Sequence, residues 1–138
     1  LKQHGFKVAD QKLFYKSDFI KDNNTFINQI ITEYAFPFIA KPVDDGCSSA
    51  VKKVKNREEL SSFLNLLFRK EEQLSEKDAA VLKLKPKEEF PIKDVVLIEN
   101  FISKEGAKYF LEITGGLLTK MDDKGNIIYE IFEPSETL

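Results

Sequence analysis

The sequence predicts an α+β fold, a mostly antiparallel sheet with flanking helices. Three observations predict it. Two stretches, 22–34 and 56–68, repeat apolar residues at the spacing of a helix. Short runs of aliphatic and aromatic residues, several bounded by proline or glycine, read as strands around them. Near the end, the runs 109–121 and 127–132 flank the turn-forming Asp122-Asp123-Lys124-Gly125-Asn126, the pattern of a hairpin.

Taken in order, Gly5 follows Leu1-Lys2-Gln3-His4 as a helix-ending glycine does. Residues 6–9 and 13–15 read as short extended pieces. In the helix over 22–34, Asp22, Asn23 or Asn24 supplies the cap, and Phe26, Ile27, Ile30, Ile31 and Tyr34 form one apolar face. A strand spans 36–42, kept short by Pro37 and Pro42. The polar loop Asp44-Asp45-Gly46-Cys47-Ser48-Ser49 follows, and a return strand spans 50–54. Asn56 caps the next helix, with Glu59 three residues on as in a capping box. Leu60, Phe63, Leu64, Leu67 and Phe68 form its buried stripe. Residues 70–94 are dense in Lys and Glu and include Pro86 and Pro91; apart from a helical turn or two over 76–84, they read as a solvated connection. Val95-Val96-Leu97-Ile98 is a buried strand, and Gly115-Gly116 interrupts the strand over 109–121.

The chain has 138 residues, 21 of them basic and 23 acidic, for a net charge of −2. The length suits one compact domain, or a small domain with part of a neighbour. The charge balance is neither that of a general nucleic-acid binder nor that of an acidic disordered tail. A single cysteine, Cys47, forms no internal disulfide, which removes the disulfide-built secreted scaffolds. With one histidine and one cysteine a structural zinc site is implausible, and a Ser-His-Asp triad would depend on His4 alone. No apolar run approaches the roughly 20 residues of a membrane helix, and no signal peptide opens the chain. The expectation is a reducing, cytoplasmic setting with no nucleic-acid or membrane partner. The chain opens on Leu1 and stops just after a hydrophobic run, so it is expected to be a piece of a longer protein.

Lys41 ends the apolar run Phe36-Pro37-Phe38-Ile39-Ala40. A lysine there loses hydration unless an anion meets it; alternatively its stem carries the ammonium out to solvent. The loop after it combines Gly46 with the small Cys47, Ser48 and Ser49, and such a loop can turn several backbone N–H groups toward one anion. Asp44 and Asp45 favour the plainer reading, a polar hairpin loop, because two carboxylates repel a phosphate. Glu99 closes a buried strand, where it can accept from an amine or hydroxyl, and the backbone at Asn100 to Ile102 can pair with a base edge. Glu112 lies within the strand over 109–121, between Leu111 and Ile113. For both glutamates a solvent-facing position is the alternative.

Three stretches together carry a resemblance. The first is Phe36-Pro37-Phe38-Ile39-Ala40-Lys41-Pro42 with the loop and return strand through Val54. The second is Lys55-Asn56-Arg57-Glu58-Glu59-Leu60. The third is Val96-Leu97-Ile98-Glu99-Asn100-Phe101-Ile102 with Leu111-Glu112-Ile113-Thr114 beyond it. In this order, over about residues 36–134, they resemble the ATP-grasp superfamily, and most closely its D-alanine–D-alanine ligases. Where those ligases usually carry Ser-Ser-Val-Gly, this chain has Cys47-Ser48-Ser49-Ala50.

The resemblance implies roles. Lys41 would bind ATP phosphate oxygens, and Gly46, Cys47, Ser48 and Ser49 would form the loop over them. Glu99 and the backbone of Asn100 and Ile102 would hold the adenine, and Glu112 would take the ribose hydroxyls. Residues 1–105 would be the central subdomain, and 106–138 the first hairpin of the C-terminal one. In such enzymes ATP phosphorylates a carboxylate, and an amine then displaces the phosphate. The Mg²⁺ ligands and catalytic residues would lie outside the chain, which alone would be inactive. Amino acids or peptides would be the substrates, and a homodimeric parent is compatible with this reading. The alternative is a nucleotide-binding or regulatory module without turnover on a degenerate ATP-grasp scaffold, which the Cys47 and Ala50 departures favour. A plain α+β interaction domain is the third reading.

Overall fold

The computed structural model describes residues 2–45, 49–86, 88–103 and 112–136. The chain divides into two compact units, Leu1–Ile102 and Ser103–Leu138. The first unit opens with a 3-10 turn, Lys2–His4, stopped by Gly5 at φ +81. Its strands are β1 (Gln11–Tyr15), β2 (Phe38–Pro42), β3 (Lys52–Val54) and β4 (Val95–Asn100). They form one sheet in the order β1-β4-β2-β3, every neighbouring pair antiparallel. Its helices are α1 (Lys16–Lys21), α2 (Asn23–Glu33), α3 (Arg57–Leu67) and α4 (Glu76–Val81). This is the α+β architecture with flanking helices that the periodicities predict.

The core lies between one sheet face and the helices. Phe14, Phe38, Ala40, Val54, Val96 and Ile98 point inward from the sheet. Phe26, Ile27 and Ile30 of α2 meet them, with Leu60, Phe63, Leu64 and Leu67 of α3. Edge-to-face aromatic contacts run through the layer: Phe14 to Phe26 at 5.9 Å between centroids, and Tyr34 to Phe38 at 6.3 Å. The predicted faces of α2 and α3 are the buried ones, with Ile31 at the margin and Leu66 added.

Local side-chain chemistry sets the helix starts. Asp22 caps α2, accepting from the N–H groups of Asn24 (3.0 Å) and Thr25 (3.1 Å). Asn56 caps α3, accepting from the Glu59 N–H at 2.9 Å. Glu59 reaches back to the Lys55 N–H at 2.8 Å, one residue before the position that a capping box joins.

Several sequence expectations are corrected. The extended piece read over 13–15 begins earlier, at Gln11, where pairing with β4 starts, and residues 6–9 stay unpaired. An extra helix, α1, follows β1 directly; its single buried side chain, Phe19, lies 5.4 Å from both Phe26 and Phe68. With six residues it is too short to show a period. Residues 70–94 are more than a solvated connection. Phe90 is buried against Phe63, and Leu74, Leu82 and Leu84 pack on the core. The Arg69 guanidinium fixes this segment, donating to the carbonyls of Leu66, Phe90 and Pro91.

In the second unit, the run expected over 109–121 is broken. Residues 109–111 lie outside the described part, and the remainder forms β5 (Ile113–Thr114) and β6 (Leu117–Met121). At Gly116, beside the break, an added Cβ would sit 2.9 Å from the Phe132 ring, so that close approach needs a glycine. β6 pairs with β7 (Ile127–Ile131) as the predicted hairpin, and Gly125 takes φ +82 in its turn. The turn is tied by the Asp122 carboxylate, which accepts from the Lys124 and Asn126 N–H groups. β5 pairs with β8 (Ser135–Glu136), a strand too short to register in the sequence.

Two substitutions test this packing. Leu64→Ala, at a fully buried position, should lower the unfolding free energy of the first unit by about 2–5 kcal/mol in denaturant titrations. Retained stability would place the α3 face elsewhere. Asn56→Ala should cost about 1 kcal/mol by the same assay, with Asn56→Ser nearly neutral because serine also caps.

Candidate functional site

Strand alternation builds the site. In β2, Phe38, Ala40 and Pro42 are buried while Ile39 and Lys41 face the other way. In β4, Val96 and Ile98 are buried while Val95, Leu97 and Glu99 share the side of Lys41. Ile39 sits opposite Glu99, and Lys41 opposite Leu97. Lys41 and Glu99 are therefore diagonal neighbours on one face, a separation that long side chains span. The Lys41 ammonium meets Glu99 Oε1 at 2.8 Å, with the two side chains 30% and 20% exposed. Two residues 58 apart in sequence thus form one partly buried charge pair. It gives Lys41 an anion rather than a free run to solvent.

The foot of the loop is also fixed. Lys93, just before β4, contacts Asp44 Oδ1 at 2.9 Å and Asp45 Oδ1 at 3.3 Å. Its backbone N–H donates to the Leu67 carbonyl at 2.9 Å, so the cation is anchored to the end of α3. The bond from Lys93 holds the Asp44 carboxyl below the ordinary aspartate value, and the cation's charge adds to it. In turn the bonds to Asp44 and then Asp45 raise Lys93 above the ordinary lysine value. The two carboxylates that spoke against a phosphate at this loop are thus both engaged by one lysine. Gly46, Cys47 and Ser48 lie outside the described residues, and Ser49 is half-buried.

Beyond the loop, Ala50 is buried at φ +52, in the left-handed region that favours glycine. That backbone cannot belong to a strand, so the return strand predicted from residue 50 begins instead at Lys52.

At the far end of β4, Asn100 is exposed, and its N–H donates to the Asp10 carbonyl at 2.9 Å. That donor is therefore already used within the sheet. Ile102 is exposed, and Phe101 before it carries the Lys53 ammonium 3.7 Å from its ring centroid. Lys53 was not among the residues singled out from sequence. The signal available was the alternation of Lys52 and Lys53, which turns one lysine to each face of β3. Glu112 belongs to the second unit, is exposed and precedes β5 instead of lying within a strand. The structure thus joins Lys41 to Glu99 and sets Asn100 and Ile102 just past them. Among the described residues, no group of three or more His, Cys, Asp or Glu is placed to hold a metal. Among the described residues no helix is long and apolar enough to cross a membrane.

The sheet face opposite the core thus bears a lysine–glutamate pair beside a loop that returns to an edge strand. The chain belongs to the family described as D-ala D-ala ligase C-terminus, whose model matches residues 1–83. The match includes Lys41, the loop and Lys53, and ends before Glu99. The D-alanine--D-alanine ligase of Natranaerobius thermophilus is 36% identical over 66 residues, which is 48% of this chain and 18% of that protein. The chain therefore spans less than a fifth of that relative's length. The crystal structure of D-Alanine-D-Alanine Ligase from Helicobacter pylori aligns with a TM-score of 0.47 and 23% identity, covering 93% of this chain and 28% of that one.

The pair at the loop foot predicts a pH response. Asp44 has a folded value below its unfolded one, so its contribution is present above the ordinary aspartate value of 3.8 and is lost as pH falls through the lowered one. In an NMR titration, Lys93→Met should move the Asp44 midpoint upward. An unmoved midpoint would remove Lys93 as the cause.

Proposed function

We propose that the chain is the ATP-binding part of a longer ATP-dependent carboxylate–amine ligase. The observation that carries this reading is the Lys41–Glu99 pair on the sheet face opposite the core, next to the loop and partly within the family match. In this reading Lys41 neutralises phosphate oxygens of ATP, and Glu99, which pairs with the Lys41 ammonium until they arrive, is then free to hold the adenine. Residues 46–49 cover the phosphates. The backbone of Asn100 and Ile102 takes the base edge, with the Asn100 N–H already given to the Asp10 carbonyl.

The first unit is then the central subdomain, with its boundary near residue 105, and the second unit the opening hairpin of the next. The reaction is transfer of a phosphoryl group from ATP to a carboxylate, followed by displacement of phosphate by an amine. The described residues offer no Mg²⁺ cluster, and the proposal leaves the metal and the catalytic groups to the rest of the protein. The substrates are amino acids or peptides, and the setting is cytoplasmic. A second reading, a nucleotide module without turnover, draws on Ala50, whose left-handed backbone is an uncommon one for a residue with a side chain.

The test is ADP release by the intact protein with Mg²⁺-ATP and a panel of amino acids, D-alanine included. Release that depends on one amino acid, with a condensed product, supports the ligase and names its substrate. Lys41→Ala should weaken ATP binding at least tenfold with the fold intact, as loss of a charge-assisted phosphate contact of about 1.5–3 kcal/mol requires. ATP binding without release supports the module. Absence of binding contradicts both.

A further inference from the structure

Lys53 and Phe101 are brought together across the sheet. The strands that carry them into contact, β3 and β4, are not neighbours, because β2 lies between. The register shows how they meet. Ile39 of β2 is opposite Lys53 on one side and opposite Glu99 on the other. Lys53, Ile39 and Glu99 therefore form one row across the sheet face opposite the core, and Phe101 follows Glu99 by two residues, just past the end of β4. Lys53 reaches over this row to set its ammonium 3.7 Å from the Phe101 ring centroid, inside the range of a cation–π contact.

The neighbouring cations are engaged differently. Lys41 has Glu99, Lys52 has Glu88, and Lys93 has Asp44 and Asp45. Among the described residues, the partner of Lys53 is the Phe101 ring. β3 is the strand on which the chain returns from the loop, and residues 101–102 form the segment that would hold a base. The contact ties one to the other directly, in addition to the ladder through β2.

We propose that Lys53 is a positioning residue for the base-holding segment, acting through Phe101 to fix the backbone at Ile102. The proposal rests on the nucleotide reading of this face. A cation on a ring face constrains the ring without occupying backbone donors, so the Ile102 amide keeps a defined direction. Loss of the cation frees the ring and lets the segment move. A base contact then weakens, while a phosphate contact at Lys41 does not.

The test uses the intact protein as wild type, Lys53→Met and Lys53→Arg. Lysines labelled with ¹³C at Cε report the contact with no nucleotide present. The Lys53 Cε protons should be shifted upfield by the ring, and Phe101→Leu should abolish the shift. Calorimetry with ATP, adenosine and tripolyphosphate reads the consequence. Lys53→Met should weaken ATP and adenosine by the same factor, about two- to fivefold. Tripolyphosphate should bind unchanged, and Lys53→Arg should restore both nucleoside affinities. Loss confined to ATP and tripolyphosphate would make Lys53 a phosphate ligand and overturn the positioning role. Unshifted Cε protons, or three unchanged affinities, would overturn it too. A wild type that shows the shift but binds no nucleotide would overturn the nucleotide reading and the positioning role with it, leaving the contact as a structural one.

Discussion

Phe38, Ala40 and Pro42 of β2 are buried against the helices, and the pleat therefore turns Ile39 and Lys41 to the opposite face. A slip of one residue would drive the Lys41 ammonium into a layer of aromatic rings and bring Phe38 into the open. The apolar side of β2 thus fixes the polar side. The same holds for β4, where burial of Val96 and Ile98 commits Glu99 to the face of Lys41. Once the two strands are paired in their register, the charge pair follows from geometry.

The rest of the first unit keeps that register in place. α2 and α3 cover the apolar side, and their caps at Asp22 and Asn56 set where each begins. The Arg69 guanidinium closes the end of α3 onto the carbonyls of Phe90 and Pro91, and β4 starts four residues after Pro91. The chain is thus led directly into β4 from the core. Lys93 adds a tie from that lead-in to Asp44 and Asp45, so the strand carrying Glu99 and the loop after Lys41 share one anchor. Charge that would repel a phosphate at the loop is held to one side by the same contact.

Much of this was legible in the sequence, for physical reasons. Long amphipathic segments such as 22–34 and 56–68 carry their period, so their buried faces and caps could be read. Lys41 and Glu99 stood out because each ends an apolar run. That they meet could not be read, since pairing between strands 58 residues apart leaves no local mark. α1 escaped because six residues do not reveal a period, and its one buried anchor, Phe19, stands beside an exposed Ile20 that blurs the face. Phe90 escaped because the charges around it outweigh one buried ring in any local average. Lys53 escaped because its partner, Phe101, lies across an intervening strand. At Ala50 the backbone is left-handed, a conformation that glycine adopts without strain.

Lys41 is proposed to exchange Glu99 for a nucleotide phosphate on the sheet face opposite the core. A crystal structure of the intact protein with a non-hydrolysable ATP analogue tests it most directly. The account predicts the Lys41 ammonium within hydrogen-bond distance of a phosphate oxygen and the base edge at Ile102. An analogue bound away from this face, with the Lys41–Glu99 pair undisturbed, would contradict it.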